Sequence, residues 1–210
     1  MLHIVQNFDS TLLKLSKINP RTKLLCVTKR QEISEILPLI HKNHTLFGEN
    51  YIQEAESKWV DLKNEYPHIK LHMIGKLQSN KVKNAIQLFD AIETVDSLRL
   101  YELCLNEISK TGRDVKLFFQ INISNEEQKS GFELSEFHKV MQSCRKPDGI
   151  MCIPSANRSN SFHFLLMSKI AQEYGINQVS MGMSSDCALA ARLGSTEVRI
   201  GSAIFCQSKT

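Results

Sequence analysis

The sequence predicts an α/β protein: a single-domain TIM-type (β/α)8 barrel over residues 1–210, with an extra helix ahead of the first strand. Three observations predict it. Eight short apolar runs of strand length recur along the chain, and the intervals between several of them carry helical periodicity. Polar residues and glycines collect just past the C-terminal ends of those runs. Eight strand–helix units in about 200 residues lie near the small end of the size range for this barrel.

The runs fall at 23–28 (KLLCVT), 45–48 (TLFG), 70–75 (KLHMIG), 91–95 (AIETV), 116–123 (KLFFQINI), 149–153 (GIMCI), 178–182 (QVSMG) and 197–200 (EVRI). They are continuous rather than alternating, as suits parallel strands covered on both faces. Pro38 predicts a short or kinked helix after the first strand. Leu98, Tyr101, Cys104, Leu105 and Ile108 share one helical face, with Asp96 and Ser97 placed to cap it. A second face holds Leu134, Phe137, Val140, Met141 and Cys144, and a third Phe162, Leu165, Leu166 and Ile170, stopped by Gly175. Ser184 or Ser185 is placed to cap the helix after the seventh strand. The rival arrangement is an open doubly wound sheet, but the first turn, TKRQ, has no GxGxxG.

Composition narrows the function classes. The formal charge of +4 (26 basic against 22 acidic residues) is mild, and the charges are mixed along the chain. A nucleic-acid binder should concentrate its Lys and Arg on one face, so no nucleic-acid partner is expected. Six cysteines show neither CxxC pairing nor metal spacing. His68 and His72 lie four apart but in a strand, so no metal site is expected there. The N-terminus has no signal-peptide pattern, and no run approaches the roughly 18 apolar residues of a membrane span. A cytoplasmic, monomeric protein without membrane contact is the expectation.

In such a barrel, chemistry belongs to the C-terminal strand ends. Lys29 closes the first run, where lost hydration would favour a neutral amine able to form a Schiff base. Snorkelling to solvent is the alternative. Gly182-Met183-Ser184 and Gly201-Ser202 close the last two strands, where barrels often build a phosphate site from backbone N–H groups and hydroxyls. Arg199, inside the last run, needs an acceptor, either a carboxylate or a ligand nitrogen. Asn50 and His72 are polar groups expected near the mouth and equally suited to core hydrogen bonds.

The segments LLCVTK, FGENYIQEA, HMIGKLQSNK, INISNEEQKSG, IMCIP, SMGMSSD and GSTEVRIGSAIF occur in this order. Together they resemble the YggS/PROSC family of pyridoxal 5′-phosphate (PLP) homeostasis proteins, over about 24–205. The resemblance implies the alanine racemase N-terminal barrel, with Lys29 bearing PLP as a reversible Schiff base. It places the phosphate against Ser184, Gly201 and Ser202, the pyridine nitrogen near Arg199, and Asn50 and His72 facing the cofactor. The implied role is to bind, buffer and deliver PLP, with PLP-dependent apoenzymes as possible recipients and without strong turnover. Arg30-Gln31-Glu32 stands where the family usually has a proline, and Cys206 where it usually has glycine.

An arginine at the pyridine nitrogen disfavours its protonation and weakens PLP as an electron sink. The sequence also ends a few residues after the eighth strand, so a covering second domain is not expected. Both points favour a carrier. The alternative is a catalytic fold-type III PLP enzyme, an amino-acid racemase or decarboxylase, with Lys76 and Lys81 as the nearest proton-moving candidates. An aldolase-like barrel using Lys29 with Glu49 as acid ranks third.

Overall fold

A computed structural model describes residues 2–126, 128–143, 146–155 and 160–206. Eight parallel strands close into a barrel in sequence order: β1 (Lys23–Val27), β2 (Leu46–Glu49), β3 (Lys70–Met73), β4 (Ala91–Val95), β5 (Lys116–Ile121), β6 (Gly149–Cys152), β7 (Val179–Ser180) and β8 (Glu197–Ile200). Closure comes from β1 pairing with both β2 and β8, with Leu25 in register with Arg199.

Strand alternation explains the continuous apolar runs. Leu25 and Val27 of β1 turn inward against Ile74, whereas Leu24 and Cys26 belong to the shell between strands and helices. Both faces are therefore buried. Most strands stop short of their apolar runs, because the backbone leaves the ladder to form the mouth. Thr28 N still donates to Gly48 O at 3.0 Å, and Ile74 N to Glu49 O at 2.9 Å.

The outer layer is α1 (Leu2–Ile18), α2 (Ile33–Ile40), α3 (Ile52–Glu65), α4 (Val82–Leu88), α5 (Leu98–Thr111), α6 (Leu134–Ser143), α7 (Ser161–Tyr174), α8 (Cys187–Arg192) and α9 (Ser202–Phe205). The extra N-terminal helix, α1, packs on α2, α8 and α9. Its Asn7 Nδ2 donates to Ile204 O at 3.0 Å, tying down the last described helix. The helix carrying Pro38 is indeed short, at eight residues. Ser97 caps α5 by accepting from Leu100 N at 3.3 Å, and Gly175 ends α7 at φ 62. No helix among the described residues is long and apolar enough to cross a membrane.

Two sequence expectations need correction. The buried face of α7 is His163, Phe164, Met167, Ile170 and Ala171, while Phe162 and Leu165 stand 68% and 53% exposed. The run FHFLLM is apolar almost all round, so its phase is set by packing rather than by pattern. The N-cap of α8 is Asp186, neither Ser184 nor Ser185. Its Oδ1 accepts from Met183 N at 2.7 Å, and its Oδ2 from Asn160 Nδ2 at 2.6 Å. Cys144, expected on the buried face of α6, lies outside the described residues.

Candidate functional site

A cavity of about 430 Å³ opens at the C-terminal mouth, within the range of roughly 300–1,000 Å³ usual for small-molecule sites. Its lining includes Lys29, Asn50, Ser184, Arg199, Gly201 and Ser202. Six of the seven residues singled out from the sequence are thus brought together. His72 is not.

Lys29 follows β1 in a turn, and Arg30 next to it adopts φ 61, a left-handed conformation that is uncommon for a non-glycine residue. A buried network holds that turn. Lys58 Nζ of α3 donates to Thr28 O at 2.7 Å and to Gln31 O at 3.4 Å. It also pairs with Glu49 Oε1 at 2.7 Å and with Glu54 Oε1 at 2.9 Å. Glu54 Oε1 accepts from Arg30 N as well. The half-buried Glu54 carboxyl is held below its ordinary range: burial opposes this, and hydrogen bonds from Lys58 and Arg30 outweigh it. Glu49 is fully buried and also accepts from Thr28 Oγ1 and Trp59 Nε1. It faces away from the mouth, which removes the acid an aldolase-like reading required.

The lysine itself is exposed and takes part in no ion pair among the described residues. The expected desolvation is therefore absent, and its availability comes from lacking a carboxylate partner. On the far wall, Ser202 Oγ and Ser184 Oγ lie 3.1 Å apart, and Ala203 N donates to Ser184 Oγ at 3.4 Å. Ser184 lies outside the N-cap position of α8 and faces the α9 turn. Asn50 borders this cavity and two neighbouring ones, the first holding Lys76 and Lys129, the second Lys76 and Lys81. Its backbone presses on Gly75, where an added Cβ would meet Asn50 O at 2.1 Å.

Arg199 forms part of the cavity floor and is only 5% exposed. Its Nη1 donates to Ser180 Oγ at 2.6 Å and its Nη2 to Cys152 O at 2.8 Å. Ser180 Oγ donates in turn to Glu93 Oε2 at 2.5 Å, and Glu93 Oε1 accepts from His72 Nδ1 at 2.7 Å. His72 is one pleat below Ile74 and borders a cavity at the opposite end, together with Lys23, Lys70, Lys116 and Glu197. The expectation that it faces the cofactor is corrected: its ring is turned toward Glu93 and Glu197, the latter at 3.5 Å. Burial works against charging this imidazole, but the two carboxylates outweigh it and raise its pKa to about 10. Burial and the neighbouring Glu93 push Glu197 upward against the opposing pull of His72, and its Oε1 has no hydrogen-bond partner among the described residues.

Glu93, Ser180 and Glu197 were not singled out from the sequence. The available signal was a charged or polar residue inside an apolar run whose two faces are both buried. His72, Glu93 and Glu197 bring ligand-type atoms within 4.8 Å of one another. Among them, His72 Nδ1 is already engaged by Glu93 Oε1 at 2.7 Å.

Fold and mouth define a class: a closed parallel barrel that sets a lysine amine opposite a pair of hydroxyl-bearing loops, above a buried arginine. The family model described as "Alanine racemase, N-terminal domain" matches residues 5–209. The pyridoxal phosphate homeostasis protein of Haemophilus influenzae is 34% identical, over 97% of this chain and 93% of that one. Its counterpart in Escherichia coli is 32% identical, over 87% and 84%. The chain belongs to the alanine racemase N-terminal-domain family and, within it, to the pyridoxal phosphate homeostasis proteins. Among solved structures, PipY of Synechococcus elongatus with PLP bound superposes with a TM-score of 0.86 at 28% identity, over 96% of this chain and 99% of that one. An alanine racemase of Clostridium difficile shares the fold alone, with a TM-score of 0.72 at 12% identity, over 100% of this chain and 58% of the racemase.

Proposed function

We propose that this protein binds PLP at the barrel mouth and serves PLP homeostasis by holding the cofactor on Lys29 and releasing it. One observation carries the reading: a partner-free amine, two hydroxyls 3.1 Å apart and a buried guanidinium border one cavity. That donor set fits the three recognition points of PLP, an aldehyde, a phosphate and a pyridine nitrogen. Lys29 would bond the aldehyde carbon. Ser184, Gly201 and Ser202 would hold the phosphate, where hydroxyls donate and glycine lets the backbone come close. Arg199 would address the ring nitrogen and Asn50 the open side.

When bound, PLP supplies an aldehyde for reversible condensation with amines and, once its ring nitrogen is protonated, an electron sink. A guanidinium beside that nitrogen opposes its protonation. Among the described lining residues, the charged side chains are Lys29, which would be bonded to the cofactor, and Arg199, whose guanidinium does not release its proton. Both features favour a carrier over a racemase or decarboxylase. Lys76 and Lys81, which such an enzyme would recruit, border neighbouring cavities. The exposed position of Lys29 suits handover to PLP-dependent apoenzymes. Free cysteines at 26, 104, 152, 187 and 206 suit a reducing cytoplasm.

The test is the visible absorption spectrum of the purified protein with added PLP, beside Lys29→Ala. A band in the parent that disappears in the variant supports the reading. An equal band in both sinks it. Rapid racemisation or decarboxylation of amino acids by the loaded parent would favour the enzyme.

A further inference from the structure

We infer that Glu93 is a positioning residue for Arg199: acting through Ser180, it fixes the guanidinium at the floor of the Lys29 cavity, and His72 anchors that carboxylate from below. The inference rests on the reading in which Arg199 addresses the PLP ring.

Hydrogen-bond roles fix the direction of the chain. A guanidinium can only donate and an ionised carboxylate can only accept. Ser180 Oγ must therefore accept from Arg199 Nη1 and donate to Glu93 Oε2, at 2.6 and 2.5 Å. Its single proton is committed. The other Glu93 oxygen takes the His72 Nδ1 hydrogen at 2.7 Å. Glu93 Oε2 also lies 3.9 Å from Arg199 Nη1, so the carboxylate is the nearest anion to a guanidinium that is 5% exposed. A buried charge without such a partner would be costly.

The relay crosses the barrel from β3 through β4 and β7 to β8, so four strands agree on one guanidinium position. Cys152 O on β6 supplies a second fixed point at 2.8 Å from Nη2. With two acceptors set at separate nitrogens, the planar group can neither rotate nor slide. Its remaining donors therefore keep a constant direction. Preorganisation of this kind stabilises a complex by removing the ordering cost at the moment of binding.

The experiment is a double-mutant cycle on PLP affinity, read by titrating the visible band of the full chain. Glu93→Gln and Ser180→Ala are each made alone and in an Arg199→Ala background, with thermal melts in parallel. Each single change is expected to weaken PLP binding about tenfold, the scale of a hydrogen bond to a charged group. Neither should weaken it further once Arg199 is gone. Full-sized losses persisting without Arg199 would overturn the positioning role and leave the relay a fold-stabilising network. Should Glu93→Gln not fold, the smaller neutral change Ser180→Ala runs the same cycle. Arg199→Ala binding PLP like the parent would instead refute the placement of Arg199 at the ring, and the positioning role with it. Retention of the Lys29 adduct in that case would leave the rest of the site reading standing.

Discussion

Lys58 occupies a slot on α3 between Ala55, Trp59 and Leu62, where the helix buries its apolar stripe. Its reason for being there is Glu49, fully buried at the end of β2, which would otherwise be an uncompensated charge. The pair fixes Thr28 O and Gln31 O on either side of Lys29, so a residue outside the cavity sets the lysine's backbone. Lys58→Met should lower stability by about 3–5 kcal/mol in urea unfolding, the usual result of breaking one side of a buried ion pair. Replacing Glu49 with Leu in the same chain should recover much of that loss. PLP affinity should fall in both, because the turn has lost its clamp. Stability unchanged in Lys58→Met would show that Glu49 does not depend on this cation. The Lys29 turn was only partly legible in the sequence. Its position at a strand end was clear, but the clamp joins residues about 20 to 30 apart, which no local pattern reveals.

At the scale of elements, two strand ends invite tests. The ends of β2 and β3 approach so closely that Gly75 has no room for a methyl group against the Asn50 backbone. Gly75→Ala should cost about 1–3 kcal/mol as overpacking and misplace Asn50, seen as a lower melting temperature together with weaker PLP binding. Just ahead of β2, His44 sits between Phe8 of α1 and Phe47, with ring centroids at 5.0 Å, and its Nε2 lies 2.8 Å from Leu46 O. Burial drives its pKa down to about 4, with the Leu46 carbonyl opposing. The folded value lies below the ordinary 6.5, so the neutral ring's contribution is complete above pH 6.5. It is lost as pH falls from 6.5 toward 4, at a cost of order 1–3 kcal/mol. His44→Phe should flatten the decline of melting temperature between pH 6.5 and 4.5. An unchanged slope would assign that acid sensitivity to other groups.

Across the whole molecule, the barrel was legible because parallel strands buried on both faces read as continuous apolar runs, and eight of them recur along the chain. The mouth was legible for the same reason, since Lys29, Ser184, Gly201 and Ser202 follow strand ends directly. The barrel interior was not. Alternation puts His72, Glu93, Ser180 and Glu197 inside, but each is a single polar residue within an apolar run, and only closure of the sheet brings the four together. His72 was accordingly expected at the mouth and lies below it. The phase of α7 failed for the opposite reason, too many apolar residues rather than too few.

The central claim is that one amine, Lys29, carries the cofactor. Its most direct test is borohydride reduction of the PLP-loaded protein, followed by proteolysis and mass spectrometry of the labelled peptides. A phosphopyridoxyl label confined at low PLP excess to the peptide containing Lys29 is the predicted result. A label found instead on Lys76, Lys81 or Lys129, or spread evenly over exposed lysines, would contradict it.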